Sequence, residues 1–159
     1  MRVVVTGMGV VSPIGIGTDQ FWTAAVNGVS GIQEVKSFDA SGQRSKIAGE
    51  IKDFNPATFP SANYIEQTDR VTPLALLVTS LALEDAGGLD VYTPQRLAVS
   101  IGSGMGGFAT FESSATRKFR NQPIPPFTVL RSTANCPSAS SAITSRLTAL
   151  CHACTTAVL

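Results

Sequence analysis

Residues 96–119 read RLAVSIGSGMGGFATFESSATRKF, and the succession of patterns within them decides the fold class. The apolar run at 96–101 predicts a buried strand, and the next six positions, 102–107, hold four glycines and read as a turn. A helix is then expected over 108–119. Strand, glycine-rich turn and helix in that order are what an α/β layer is made of.

The same logic extends outward. Val3, Val4 and Val5 are consecutive β-branched residues, and unbroken apolarity predicts a strand covered on both faces. Gly7 and Gly9 then turn the chain. Thr18 or Asp19 is expected to cap a helix running to residue 27, with Phe21, Trp22, Ala25 and Val26 turned inward and Gly28 closing it. A short strand is expected at 47–51, and 53–63, with Pro56 and Pro60, reads as an ordered loop. The clearest helix takes Thr72 as its cap and Pro73 in its first turn, carries Leu74, Leu77, Val78 and Leu81 at helical spacing, and ends at Gly87. Pro123, Pro125 and Pro126 interrupt the chain before a Ser/Ala/Thr-rich segment read as a helix over 138–150. Without internal repeats or a long linker, residues 1–159 read as one domain, or part of one, a layered α/β fold with a mainly parallel sheet.

Composition narrows the function. The chain is 43% hydrophobic and only 14% charged, which implies a large core or an interface. Its net charge of +1 provides no field to attract nucleic acid or an anionic membrane, and neither is expected as a partner. Cys136, Cys151 and Cys154 are odd in number and clustered late, an arrangement that argues against a disulfide framework and for a reducing, cytoplasmic setting. The apolar stretch 3–17 holds four glycines and lacks a small-x-small cleavage pattern, so it reads as strand and turn and not as a signal peptide. No other apolar run approaches the length of a membrane span.

Three motifs invite sharper readings. Gly102, Gly104 and Gly107 match G-x-G-x-x-G between a strand and a helix, the arrangement that admits a pyrophosphate. The acidic residue required about 20 positions on is missing, since no Asp or Glu follows Glu112, so a structural turn is the expectation. Cys151, His152 and Cys154 are the one close set of metal-ligand types, but neighbours this near in sequence do not easily surround an ion, and no second pair exists. No metal and no cofactor are therefore expected, and His152 reads as exposed or incidental. Cys154 lies in Ala153-Cys154-Thr155-Thr156-Ala157, small residues suited to a sharp strand-to-helix turn. There the positive end of a helix dipole favours the thiolate that attacks carbonyl carbon, and the plain alternative is an inert buried cysteine.

Taken in order, the segments resemble the N-terminal half of the β-ketoacyl synthases, including the elongation synthases of fatty-acid synthesis and the polyketide ketosynthases. The resemblance runs from residue 2 to about residue 135. It rests on RVVVTGMGVVSPIG at 2–15, Phe21-Trp22, the run from Gly28 to Ile32, Phe38-Asp39, Ile47-Ala48-Gly49-Glu50 with Phe54, and Asp69-Arg70 leading to Leu83-Glu84-Asp85-Ala86-Gly87. Arg96 followed by the glycine-rich 101–107, then Pro126-Phe127 with Asn135, complete it. The resemblance implies a thiolase-like, layered α/β/α fold, present as its N-terminal half only and incomplete.

It further implies decarboxylative Claisen condensation of acyl and malonyl thioesters delivered by acyl carrier protein, with no cofactor, in a homodimer or ketosynthase heterodimer. Cys154 is then the catalytic nucleophile, and Phe127 and Thr128 bind substrate near the partner's acyl channel. Departures cluster late: Ala157 stands where the family has Gly, 145–150 replaces its Gly-x-x-Gly-Pro, and the interval from Asn135 to Cys154 is short. The family's histidine pair, lysine and Gly-Phe-Gly-Gly segment do not occur, so the chain alone is expected to be inactive in condensation. The competing readings are a non-catalytic partner subunit of the chain-length-factor kind, a dinucleotide-binding module, and a truncated product without function of its own.

Overall fold

The computed structural model describes residues 2–52, 54–55, 68–90, 92–145 and 150–155. In chain order its elements are β1 (Val11–Ser12), β2 (Gly15–Ile16), α1 (Thr18–Val26), β3 (Ile32–Glu34), β4 (Ile47–Gly49) and α2 (Val71–Asp85). A 3-10 turn (Pro94–Arg96) leads to β5 (Val99–Ser103), followed by α3 (Phe108–Phe119), α4 (Thr128–Ser132), α5 (Cys136–Thr144) and β6 (Cys151–Thr155). Two compact units are present: Met1–Asn55 with Ser80–Gly88, and Pro56–Thr79 with Leu89–Leu159.

In the first unit β1 and β2 form an antiparallel hairpin, Val11 opposite Ile16, and β3 pairs antiparallel with β4, Ile32 opposite Gly49. Helix α1 is capped by Gly17 at φ 91, one residue ahead of the expected Thr18, and Gly28 at φ 68 closes it as its position predicts. Gly7 lies against the second half of α2: a Cβ there would stand 2.7 Å from the Ala86 nitrogen. The Met8 N–H beside it donates to Asp85 Oδ2 at 2.8 Å. The apolar faces differ from expectation. Val3, Val4 and Val5 are unpaired and 90%, 65% and 82% exposed, and Trp22, Ala25 and Val26 are exposed while Phe21 is half-buried. Apolar pattern marks the face that seeks cover, but cover comes from another element, and most of the surface of these valines and of Trp22 stays exposed.

The second unit is built around α5. Ser138, Ser140 and Ser141 on that helix are buried, as are Cys136, Pro137 and Ala142, and small side chains let it lie close against both β5 and β6. Helix α2 begins at Val71, with Thr72 inside its first turn rather than at the cap. The Thr72 Oγ1 donates to Cys136 Sγ at 3.5 Å. Leu76 is buried, whereas Leu74, Leu77, Val78 and Leu81 are half-buried.

Strands β5 and β6 run parallel in register from Val99 opposite Cys151 to Ser103 opposite Thr155. The strand expected at 96–101 starts later because Pro94 holds a 3-10 turn that takes up Arg96, and its residues alternate half-buried and exposed. Helix α3 has the predicted bounds, with Asn121 in the left-handed region just beyond its end. Helix α5 covers Cys136–Thr144 instead of 138–150, starting early because Pro137 is accommodated in a first turn. Residues 146–149 and all of the 53–63 loop except 54 and 55 lie outside the described residues. In place of the mainly parallel sheet expected, the described residues form three separate strand pairs, two antiparallel in the first unit and one parallel in the second.

Candidate functional site

The glycine-rich loop after β5 brings chain segments together. Gly106 has φ +58, and its N–H donates to Ser103 Oγ at 2.9 Å. A Cβ on Gly106 would lie 2.8 Å from the Ala134 Cα, and one on Gly107 would lie 2.9 Å from both the Arg131 carbonyl carbon and the Ser132 Cα. Gly106 and Gly107 thus admit the backbone of 131–134, the close packing that the structural-turn reading expects of them, while Gly104 has no atom within 4 Å of the place a Cβ would take.

That packing seats α4 beside α3. Between them and residues 68–70 lies a groove of about 320 Å³, whose lining includes Asp69, Thr110, Ser114, Pro125, Thr128 and Arg131. Thr128 Oγ1 donates to the Pro125 carbonyl at 2.7 Å and lies 3.3 Å from Ser114 Oγ. Phe127, at the head of α4, is exposed and adopts φ 65. This left-handed conformation is a genuine outlier for an aromatic side chain and is held only by its surroundings. Of the residues named from sequence, the structure therefore brings Thr128 into the groove lining, while Phe127 is exposed and is not part of that lining.

Cys154 lies on β6, opposite Gly102, and is exposed. The expectation for Cys154 is a strand-to-helix turn; the structure places it one residue before the end of β6, and the turn and helix that would follow fall on 156–159, outside the described residues. Alternation along β6 puts His152 on the same face as Cys154 and Cys151 on the other, which separates the three metal-ligand types. Among the described residues no group of three His, Cys, Asp or Glu is arranged to hold a metal ion. All three cysteines are free thiols, Cys136 buried and Cys151 exposed like Cys154.

Sequence reasoning names Asp69 only within the resemblance, without a role, and passes over Ser114. Asp69 is 7% exposed, and its Oδ2 accepts the Thr110 N–H at 2.8 Å. The available signal was Gly107 itself: a helix whose N-cap has no side chain needs an acceptor from elsewhere.

The family model for the β-ketoacyl synthase N-terminal domain matches residues 1–158. The chain belongs to the β-ketoacyl synthase family. Its relatives include the 3-oxoacyl-[acyl-carrier-protein] synthase 2 of Coxiella burnetii, 37% identical over 79% of this chain and 31% of that protein. The ketoacyl synthase beta subunit of the tetracenomycin polyketide synthase of Streptomyces glaucescens is 39% identical over 67% of this chain and 26% of that one. Among solved structures, the ishigamide ketosynthase/chain length factor superposes with a TM-score of 0.85 at 25% identity, covering 98% of this chain and 40% of that chain. A β-ketoacyl synthase from Burkholderia phymatum superposes at 0.76 with 20% identity, covering 94% of this chain and 38% of that one.

The fold is accordingly the N-terminal portion of the thiolase-like ketosynthase architecture, as the resemblance implies. The chain spans between 26% and 32% of the length of the first curated β-ketoacyl synthases it matches. No helix among the described residues is long and apolar enough to cross a membrane.

Proposed function

We propose that this chain is the N-terminal portion of a 3-oxoacyl-[acyl-carrier-protein] synthase that makes carbon–carbon bonds by decarboxylative Claisen condensation in fatty-acid or polyketide synthesis. The observation that carries this reading is the family match over residues 1–158. Cys154 is the nucleophile. Its thiolate attacks the carbonyl carbon of an acyl thioester, the tetrahedral adduct collapses, and the carrier's phosphopantetheine thiolate leaves with a proton, so the acyl group moves to Cys154. In the second half-reaction malonyl thioester loses CO2, the enolate carbon attacks the acyl-enzyme, and the Cys154 thiolate is released.

That second step needs hydrogen-bond donors at the malonyl carbonyl and at the tetrahedral oxyanion, a task the family gives to a histidine pair. This chain has one histidine, so by itself it performs at most the transfer step. Thr128 and Phe127 contribute to the acyl channel, acyl carrier protein is the donor, and the working assembly is a homodimer or ketosynthase heterodimer in the cytoplasm. The experiment is intact-protein mass spectrometry after incubation with an acyl carrier protein loaded with a medium-chain acyl group. A one-acyl mass gain that disappears in Cys154→Ser is expected; acylation persisting in that variant would refute the assignment.

The second reading, a non-catalytic partner subunit, is favoured by the similarity to the tetracenomycin beta subunit. It predicts no acyl transfer and tight association with a ketosynthase.

A further inference from the structure

The buried Asp69 carboxylate holds one end of a helix whose next turn meets Thr128, a connection that the condensation chemistry does not use. Helix α3 starts from Gly107, which has no side chain to accept the first-turn N–H groups, and no side-chain cap is formed there. Asp69, 41 residues earlier, supplies the acceptor: its Oδ2 takes the Thr110 N–H at 2.8 Å, in the position an N-cap side chain serves from within a helix. The backbone of Asp69 is fixed in turn, its carbonyl accepting the Thr72 N–H at 2.9 Å in the first turn of α2.

One turn along α3, the buried Ser114 meets Thr128 at 3.3 Å. The Thr128 hydroxyl has one hydrogen, and its 2.7 Å bond to the Pro125 carbonyl, a pure acceptor, uses it. Ser114 is therefore the donor and Thr128 the acceptor. Asp69, Thr110, Ser114 and Thr128 all line the same 320 Å³ groove.

We propose that Asp69 is a positioning residue that caps α3 from outside the helix and, through Ser114, holds Thr128 in the groove wall. The role of Thr128 toward an acyl chain rests on the function proposed above; the hydrogen bonds at Asp69 and Ser114 do not.

The test is amide hydrogen exchange on the full 159-residue protein and on Asp69→Ala, Asp69→Asn and Ser114→Ala, read in the first turn of α3, in α4, and in α5 with β5 as reference. Loss of a cap accelerates local exchange roughly fivefold to tenfold, so Asp69→Ala is expected to do this in α3 and α4 while α5 and β5 are unchanged. Asp69→Asn keeps an accepting oxygen and restores protection. Ser114→Ala accelerates α4 and leaves the Thr110 amide alone. Acceleration spread equally over α5 and β5, unchanged exchange in α4, or Asp69→Asn behaving like Asp69→Ala would each overturn the proposal. A failure of Cys154 to accept an acyl group leaves these rates untouched, so the two readings fail separately.

Discussion

Substituting Gly107 by alanine puts the packing role of the glycine loop to a quantitative test. Gly107 is buried and has φ −81, a value any L-residue adopts, so the exchange carries no backbone-conformation penalty. Considered alone it stabilises by about 0.4–1 kcal/mol, because alanine has fewer unfolded conformations to lose. The new Cβ, however, meets the Arg131 carbonyl oxygen and stands 2.9 Å from the Arg131 carbonyl carbon and the Ser132 Cα. These are backbone atoms of α4 and cannot rotate aside. Overpacking of this kind costs about 1–3 kcal/mol, which at the middle of both ranges outweighs the entropic gain and leaves a net loss of about 1.3 kcal/mol.

For a chain of this length that loss lowers Tm by roughly 3–5 °C. Gly104, in the same loop, has no left-handed φ and no atom within 4 Å of the place an alanine methyl would take, so Gly104→Ala is expected to be neutral or to stabilise by about 0.4–1 kcal/mol. Thermal and urea unfolding followed by circular dichroism measure both. A Gly107→Ala protein as stable as the parent, or a Gly104→Ala protein as weakened as Gly107→Ala, would show that the loop is not closed by 131–134.

Three further outcomes follow from other parts of the molecule. Leu76 is buried on α2, so Leu76→Ala is expected to cost about 2–5 kcal/mol, read as a lower urea midpoint at unchanged slope. The Glu50 carboxylate accepts from Ser37 Oγ at 2.5 Å and from the Lys36 N–H at 3.0 Å, and these bonds hold its pKa below the ordinary 4.5. A depressed pKa contributes stability that is whole above 4.5 and is lost as pH falls through the lowered value; the Lys36 and Ser37 amides should lose protection there, and Glu50→Gln should remove that pH dependence. Cys151 and Cys154 are exposed and Cys136 is buried, so a thiol reagent should modify two cysteines in the native protein and all three in denaturant; rapid labelling of Cys136 in the native state would contradict the packing of α5.

The sequence is legible where neighbours along the chain settle the outcome. Phe108 and Phe119 bound α3 as the pattern predicts, and Gly28 and Gly87 close their helices with φ 68 and 78, because turn geometry and helix termination are decided within a few residues. The candidate site was legible in part: the glycine loop was found and its nucleotide reading weakened by the missing acidic residue, while Thr128 came from resemblance and only the structure showed its groove.

Tertiary structure decided what local pattern cannot carry. Val3–Val5 and Trp22 announce apolar surface, yet whether it is covered depends on elements distant in sequence, and here they are exposed. Small residues around Cys154 suggest a strand-to-helix turn, but which strand it ends is set by in-register pairing with Gly102, 52 positions away. Asp69 caps a helix that begins 39 residues later, through a hydrogen bond that leaves no periodicity behind. Local composition sets conformational preference; pairing and burial are long-range, and only the folded chain brings their two halves within reach.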